Sequence, residues 1–122
     1  MRILQVMALV SGLLVSTVVA AGEVEIVEVK VTAQSGQKFR FDVTLKHADE
    51  GWKHYANRWQ VETLDGKNLG TRVLYHPHVN EQPFTRSLAG VIIPDDISRV
   101  KIRAFDSVHG DKGLQFEVDV PR

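Results

Sequence analysis

Residues 38–46 read Lys-Phe-Arg-Phe-Asp-Val-Thr-Leu-Lys, and this stretch decides the fold class. Its apolar and polar residues alternate strictly, which is typical of a β-strand with one face in a core and the other in water. His47 continues the apolar parity at the end of the stretch. We therefore predict an antiparallel strand here, whose apolar side chains pack against a second layer of structure.

Similar short stretches recur along the chain and are separated by turn residues. Asp65-Gly66 predicts a tight hairpin, and Trp59 is the expected central aromatic residue of the core. In the final strand, the expected buried residues are Leu114, Phe116, Val118 and Val120. Since no helical period interrupts this pattern, we predict an all-β fold, an antiparallel β-sandwich of about seven strands. The remaining predicted strands cover residues 23–34, 52–64, 69–75, 89–93 and 97–104.

The N-terminal residues have the pattern of a secretory signal peptide. Arg2 is followed by an uncharged apolar run from Ile3 to Val19, and Ala20-Ala21-Gly22 supplies small residues for cleavage. We therefore expect a signal peptide over residues 1–21, a domain over residues 22–122, and a periplasmic or secreted protein with no membrane span after cleavage. An uncleaved anchor helix is the alternative, which the length of the apolar run barely allows.

Composition narrows the compartment and the class of partner. The chain has no cysteine, which excludes disulfides and lipid attachment at a cysteine and fits a bacterial periplasm. Fifteen basic residues balance fifteen acidic residues, so no basic surplus is present to neutralise phosphates. The sequence therefore predicts no nucleic-acid partner and gives no support to a role at a membrane surface.

One stretch resembles a known group of domains. Val100-Lys101-Ile102-Arg103-Ala104-Phe105-Asp106-Ser107, followed by Gly110, is similar to the penultimate strand of fibronectin type III and related immunoglobulin-like domains. The chain length, the strand count and a tryptophan in the third strand add to this resemblance. It departs at Ser98, where a tyrosine corner would place tyrosine, and in the absence of a disulfide. The resemblance implies an immunoglobulin-like β-sandwich and carries no active site.

The alternation breaks down over residues 76–88, where two prolines exclude a central strand or a helix interior. His76 and His78 lie two residues apart and, in an extended chain, point to the same side. Together with His54 or His109 they are the candidate ligands of a transition-metal site. Because cysteine is absent and both methionines lie in the signal peptide, the metal would be Zn(II), Cu(II) or Ni(II).

A second set of residues could bind a protein or a peptide instead. Asn80, Glu81, Phe84 and Arg86 lie in the same polar stretch, and Arg86 could hold a carboxylate through two hydrogen bonds. Trp52 follows Gly51 at the edge of a loop and is the candidate exposed aromatic residue. Asn80, Glu81 and Arg86 could equally anchor the backbone of their own loop.

Catalysis has little support in the sequence. Asp106, Ser107 and His109 are the residue types of a serine-hydrolase triad, but members so close in sequence seldom reach the required geometry, and no nucleophile elbow is present. We therefore predict no catalytic residues and a non-enzymatic exported binding module. A protein- or peptide-interaction domain without a cofactor is favoured, and a periplasmic Zn or Cu(II) protein using His76-Pro77-His78 is the alternative.

Overall fold

Seven strands form the fold in the computed structural model, which describes residues 24–110 and 115–122. No helix occurs among these residues, so the prediction of an all-β protein is confirmed. The strands are β1 (Glu25–Ala33), β2 (Lys38–Lys46), β3 (Ala56–Thr63), β4 (Asn68–Val73), β5 (Phe84–Ile92), β6 (Arg99–Asp106) and β7 (Phe116–Asp119).

The strands divide into two antiparallel sheets. The first sheet has three strands in the order β1-β2-β5, and the second has four in the order β4-β3-β6-β7. Every pair of neighbours within a sheet is antiparallel. Strand β2 is therefore the centre of the first sheet, and β3 and β6 are the centre of the second.

One hydrophobic core is shared by the two sheets, and it explains the alternation in the sequence. In β2 the apolar residues are buried and their polar neighbours are exposed or half-buried. Trp59 in β3 is fully buried, as the sequence predicted. The largest fully buried side chains are Trp59, Phe41, Leu45, Ile93, Ile102, Val24, Val43, Val61 and Val100.

The starts of β3 and β5 differ most from the sequence prediction. Strand β3 begins at Ala56 rather than at residue 52, because residues 50–54 form a turn in which the Glu50 amide donates to the His54 carbonyl at 2.7 Å. Gly51 has φ of 78° in this turn, which only glycine adopts without strain. Strand β5 begins at Phe84 rather than at residue 89, because residues 84–88 pair with the end of β2.

Smaller sequence signals are confirmed in part. The apolar pattern switches parity at Ile26-Val27, and the register of β1 against β2 shifts there, as expected for a bulge. The Asp65-Gly66 turn connects β3 to β4. In β7, Phe116 and Val118 are only half-buried, because that strand lies at the edge of its sheet. The prediction for Leu114 lies outside the described residues.

The two sheets approach closely where β4 faces β5. A Cβ atom at Gly70 would lie 3.0 Å from Cδ2 of Leu88 and 3.4 Å from Cγ2 of Val91. The first distance is shorter than ordinary contact, so Gly70 lets the edge of the second sheet approach β5.

Three connections meet at one end of the molecule. The end of β2 lies beside the start of β5, since Leu45 pairs with Phe84, and the start of β3 lies beside the end of β6, since Ala56 pairs with Asp106. The β2–β3 and β4–β5 connections and the start of the β6–β7 connection therefore share this end. In the described part of the chain, no helix is long and apolar enough to cross a membrane.

Candidate metal centre

His47 is the first polar group of the site, and the pleat of β2 explains its position. It follows Lys46 and keeps the parity of the buried residues Val43 and Leu45, so its side chain points inward and is fully buried. Its Nδ1 atom lies 2.5 Å from Oδ1 of Asp49. Because a carboxylate only accepts hydrogen bonds, Nδ1 carries a proton, and in the neutral imidazole Nε2 then presents a lone pair.

Asp49 is buried as completely as His47, and its carboxylate is held by the backbone as well. The Ala56 amide donates to Oδ1 at 3.1 Å, and the His78 amide donates to Oδ2 at 2.7 Å. A buried carboxylate with three donors is fixed in orientation. Asp49 therefore fixes the imidazole of His47 in turn.

His54 approaches His47 from the turn that precedes β3. Its Nδ1 atom lies 3.0 Å from Oε1 of Glu50, and its Nε2 atom lies 3.2 Å from Nε2 of His47. The two rings meet edge to face, with centroids 4.7 Å apart. Since a carboxylate faces each Nδ1 atom, both lone pairs on Nε2 point into the same small space. Two nitrogens in this arrangement can share a proton or bind one metal cation.

Asp106 completes the group from the last position of β6. It keeps the parity of the buried residues Ile102 and Ala104, so its side chain also points inward and is 2% exposed. Its Oδ1 atom lies 3.4 Å from Nε2 of His54, and its Oδ2 atom lies 3.9 Å from Nε2 of His47. A carboxylate thus stands beside the two imidazole nitrogens.

Hydrogen bonds keep Asp106 ionised. Burial acts to raise the pKa of this carboxyl, but donation from the His109 and Val108 amides at 2.6 and 2.8 Å outweighs it. The His109 side chain adds a contact from Nδ1 at 3.1 Å to each carboxylate oxygen. The net effect is that the pKa of Asp106 lies below its ordinary value.

The spacing of these ligand atoms suits a small divalent cation. One ligand atom each from His47, His54 and Asp106 lies within 4.8 Å of the other two. A tetrahedral ion with metal–nitrogen bonds of about 2.0–2.1 Å places its ligands about 3.3–3.4 Å apart. The separations of 3.2 and 3.4 Å at His54 are close to that value. Two imidazoles and a carboxylate are ligands for Zn(II) or Cu(II).

The four histidines proposed as ligands from the sequence fall into two groups. His54 contributes to the cluster with His47 and Asp106, and His109 lies beside it, with ring centroids 4.9 Å from His54. His76 and His78 form a separate pair with centroids 5.0 Å apart. Neither of that pair belongs to the three-residue cluster found among the described residues.

His78 is engaged in contacts of its own. Its ring stacks on Phe84 at a centroid distance of 4.1 Å, and its Nε2 atom accepts a hydrogen bond from Arg86 at 2.9 Å. A nitrogen that accepts from a guanidinium offers no lone pair to a metal ion. In this arrangement the Nε2 atom of His78 is therefore held by Arg86 rather than presented to a metal ion beside His76.

His47 and Asp106 were not among the four histidines chosen as metal ligands from the sequence, although both have the same signal. Each is a polar residue that continues the buried parity of its strand, His47 after Leu45 and Asp106 after Ala104. Buried ionisable groups are rare unless they are paired or bind a metal. Polar residues on an apolar parity were thus a better guide to this site than histidines close together in sequence.

The candidate protein-binding residues are also dispersed. Trp52 is 68% exposed and lies edge to face with Tyr55, whereas Phe84 is 2% exposed and belongs to the core. Asn80 is exposed on the β4–β5 connection. Glu81 forms an ion pair with Arg86 at 3.3 Å. Of the five candidates, Trp52 offers the large exposed apolar surface.

Comparison with known proteins gives one informative relative. The chain is 41% identical over 97 residues to a protein of Halomicrobium mukohataei named "Putative lipoprotein", and the match covers 80% of this chain and 47% of the relative. The chain thus spans about half the length of the curated relative it matches. No family profile matches the chain. No solved structure matches it either. The name of the relative fits an exported or envelope-attached protein.

Proposed function

We propose that this domain is an exported, non-enzymatic binding module for a divalent transition-metal ion, Zn(II) or Cu(II), held by His47, His54 and Asp106. The observation that carries the proposal is the convergence of two Nε2 atoms, 3.2 Å apart, on one carboxylate in a buried site. Each imidazole is oriented by a further carboxylate, Asp49 or Glu50. Histidine ligands in metal sites are commonly oriented in this way.

The experiment uses protein expressed without a histidine tag, stripped with a chelator and titrated with ZnCl₂ or CuCl₂ at pH 7.5. We expect one ion per chain. His54→Ala should abolish binding. The imidazole of His54 is the best ligand to remove because it lies nearest to solvent, with 12% of the side chain exposed. His76→Ala is the matched control and should bind like the parent. Parent protein that binds no ion would contradict the proposal, as would loss of binding in His76→Ala alone.

Export through a signal peptide over residues 1–21 belongs to the same proposal. The apolar run, the small residues after it and the name of the relative support it. The test is intact-mass measurement on protein recovered from the periplasm, which should begin at Ala21 or Gly22. Full-length protein recovered in the membrane fraction would favour an uncleaved anchor instead.

We also propose that the fold is of the immunoglobulin-like type. Seven antiparallel strands divided three and four between two sheets support it, as does the placement of β3, β6 and β7 together. In constant-type immunoglobulin domains the fourth strand lies on the sheet of the first two strands, whereas β4 pairs with β3 here. An experimental structure would test this proposal directly by its strand order.

A protein or peptide partner is the second candidate function, and the exposure of Trp52 favours it. Trp52 and Tyr75 are 68% and 73% exposed, on the connections before β3 and after β4. A photo-crosslinking residue at position 52 in exported protein should capture one discrete partner. The control carries the same photo-crosslinking residue in place of Ile92, which is 57% exposed at the end of β5. Equal capture from both positions would contradict the candidate.

A further inference from the structure

We propose that Asp49 is a positioning residue for the metal site and that the segment from His76 to Gln82 holds it in place. This inference rests on the proposed metal-binding function. It assigns a role to a segment whose histidines lie outside the cluster. Asp49 touches no metal ion in this scheme and acts through His47.

The first step of the argument is the number of donors that Asp49 satisfies. Oδ1 accepts from His47 Nδ1 at 2.5 Å and from the Ala56 amide at 3.1 Å. Oδ2 accepts from the His78 amide at 2.7 Å. The side chain is fully buried, so water cannot replace any of these three bonds at low cost. The site requires two accepting oxygens from one residue, which a carboxylate supplies.

The second step is the effect on His47. With its proton held at Nδ1 by Asp49, His47 must present the lone pair of Nε2, the atom that faces His54. Asp49 thus sets both the tautomer and the direction of one of the three proposed ligands.

The third step connects the segment after β4 to the same ligand. The His78 amide holds Asp49, while Oε1 of Gln82 accepts from the His47 amide at 3.0 Å. Nε2 of Gln82 donates to the His78 carbonyl at 2.8 Å, which fixes Gln82 to His78 within the segment. His47, Asp49, His78 and Gln82 therefore form a closed chain of hydrogen bonds. Displacement of the segment would release both the backbone and the side-chain support of His47.

Asp49→Asn is the sharpest variant because an amide cannot satisfy this geometry. One of its two terminal atoms is an NH₂ group, which must face either the His78 amide or the pair formed by His47 and Ala56. If it faces His47, it favours the tautomer with hydrogen on Nε2, which cannot bind a metal through that atom. If it faces the His78 amide, two donors oppose each other and the segment is displaced. Asp119→Asn, on an 83% exposed side chain of β7, is the matched control.

Two measurements test the inference. Long-range ¹H–¹⁵N spectra of the metal-free parent should show His47 protonated on Nδ1, and Asp49→Asn should shift this histidine toward Nε2 protonation. Zinc titration of the same samples should show a dissociation constant raised about 10–100-fold in Asp49→Asn and unchanged in Asp119→Asn. Gln82→Ala should weaken zinc binding, whereas Asn80→Ala, at an exposed position of the same segment, should leave it unchanged. This pair tests the segment without disturbing the buried carboxylate.

The outcomes separate the two proposals. Parent protein that binds no zinc overturns the metal-binding function, and the positioning role with it. Parent protein that binds zinc while Asp49→Asn binds it equally well overturns the positioning role alone. Weaker binding with neither a change in the His47 tautomer nor a shift of the His78 amide resonance also overturns it, since Asp49 would then act only through stability. If Gln82→Ala and Asn80→Ala change zinc binding equally, the segment from His76 to Gln82 does not hold Asp49 in place.

Discussion

The guanidinium of Arg86 donates a hydrogen bond to Nε2 of His78 at 2.9 Å. His78 is 6% exposed, and its ring is stacked on Phe84. Burial is the largest cause that lowers the pKa of His78, and the positive charges of Arg86 and His76 add to it. This histidine is therefore neutral in the folded protein at pH values where the unfolded chain already binds a proton.

The first prediction follows from that difference. Between about pH 6.5 and the lower folded-state pKa, the unfolded chain binds more protons at position 78, so the free energy of unfolding should fall as the pH falls. Above about pH 6.5 His78 should not make the free energy of unfolding depend on pH. Urea denaturation in EDTA from pH 7.5 to 5 measures this effect. His78→Gln should reduce the slope and His76→Gln should reduce it less, whereas identical slopes in all three proteins would contradict the assignment.

A second prediction concerns proton release on metal binding. If two Nε2 atoms 3.2 Å apart share a proton in the metal-free protein, a metal ion must displace it. We expect zinc binding to release protons, because only unprotonated ring nitrogens can bind the ion. Calorimetry in buffers of different ionisation enthalpy measures the number of protons released. Binding enthalpies that do not depend on the buffer would show that both lone pairs are available before the metal arrives.

A third prediction tests the core. Phe41 is fully buried at the centre of the first sheet, whereas Phe116 is half-buried in an edge strand. Phe41→Ala should lower the free energy of unfolding by about 3–5 kcal/mol. Phe116→Ala should cost clearly less, because part of its surface is already in water. Chemical denaturation of both variants decides the point, and a larger loss at position 116 would mean that β7 is misplaced.

A fourth prediction concerns the contact between β4 and β5. Gly70→Ala adds a methyl group 3.0 Å from Leu88 Cδ2, so we expect a loss of about 1–3 kcal/mol from overpacking. Leu88→Ala should lose apolar packing when introduced alone. The double variant should lose less free energy of unfolding than the sum of the two single losses, since Leu88→Ala removes the atom that clashes with the new methyl group. Strict additivity in this double-mutant cycle would contradict the close approach.

The sequence predicted the sheets better than the site, and the reason is physical. Alternation over residues 38–46 records burial on one face of a strand, which is a local property, and β2 follows it. The proximity of His54 to Asp106 depends on the pairing of β3 with β6, a contact between distant parts of the chain. Sequence spacing could therefore indicate His54 and His109 but could not bring them to His47.

The boundaries of β3 and β5 illustrate the same limit. Residues 52–55 alternate like a strand, yet the hydrogen bonds of Glu50 and Gly51 with His54 fold them into a turn. Residues 84–88 look like part of a polar loop, yet they pair with β2 along one side. In both places hydrogen-bond partners from elsewhere in the fold decided the outcome. Local preference was overridden by tertiary contacts.

The placement of the three proposed ligands also has a kinetic consequence. His47 and His54 lie on one connection, between β2 and β3, whereas Asp106 reaches them only when β6 has paired with β3. The complete ligand set therefore exists only after β3 and β6, which are neighbours in the second sheet but far apart in sequence, have paired. If this pairing forms after the folding barrier, an ion bound by all three residues should slow unfolding and leave the refolding rate nearly unchanged. A chelator would then shorten the lifetime of the native protein without impeding its formation.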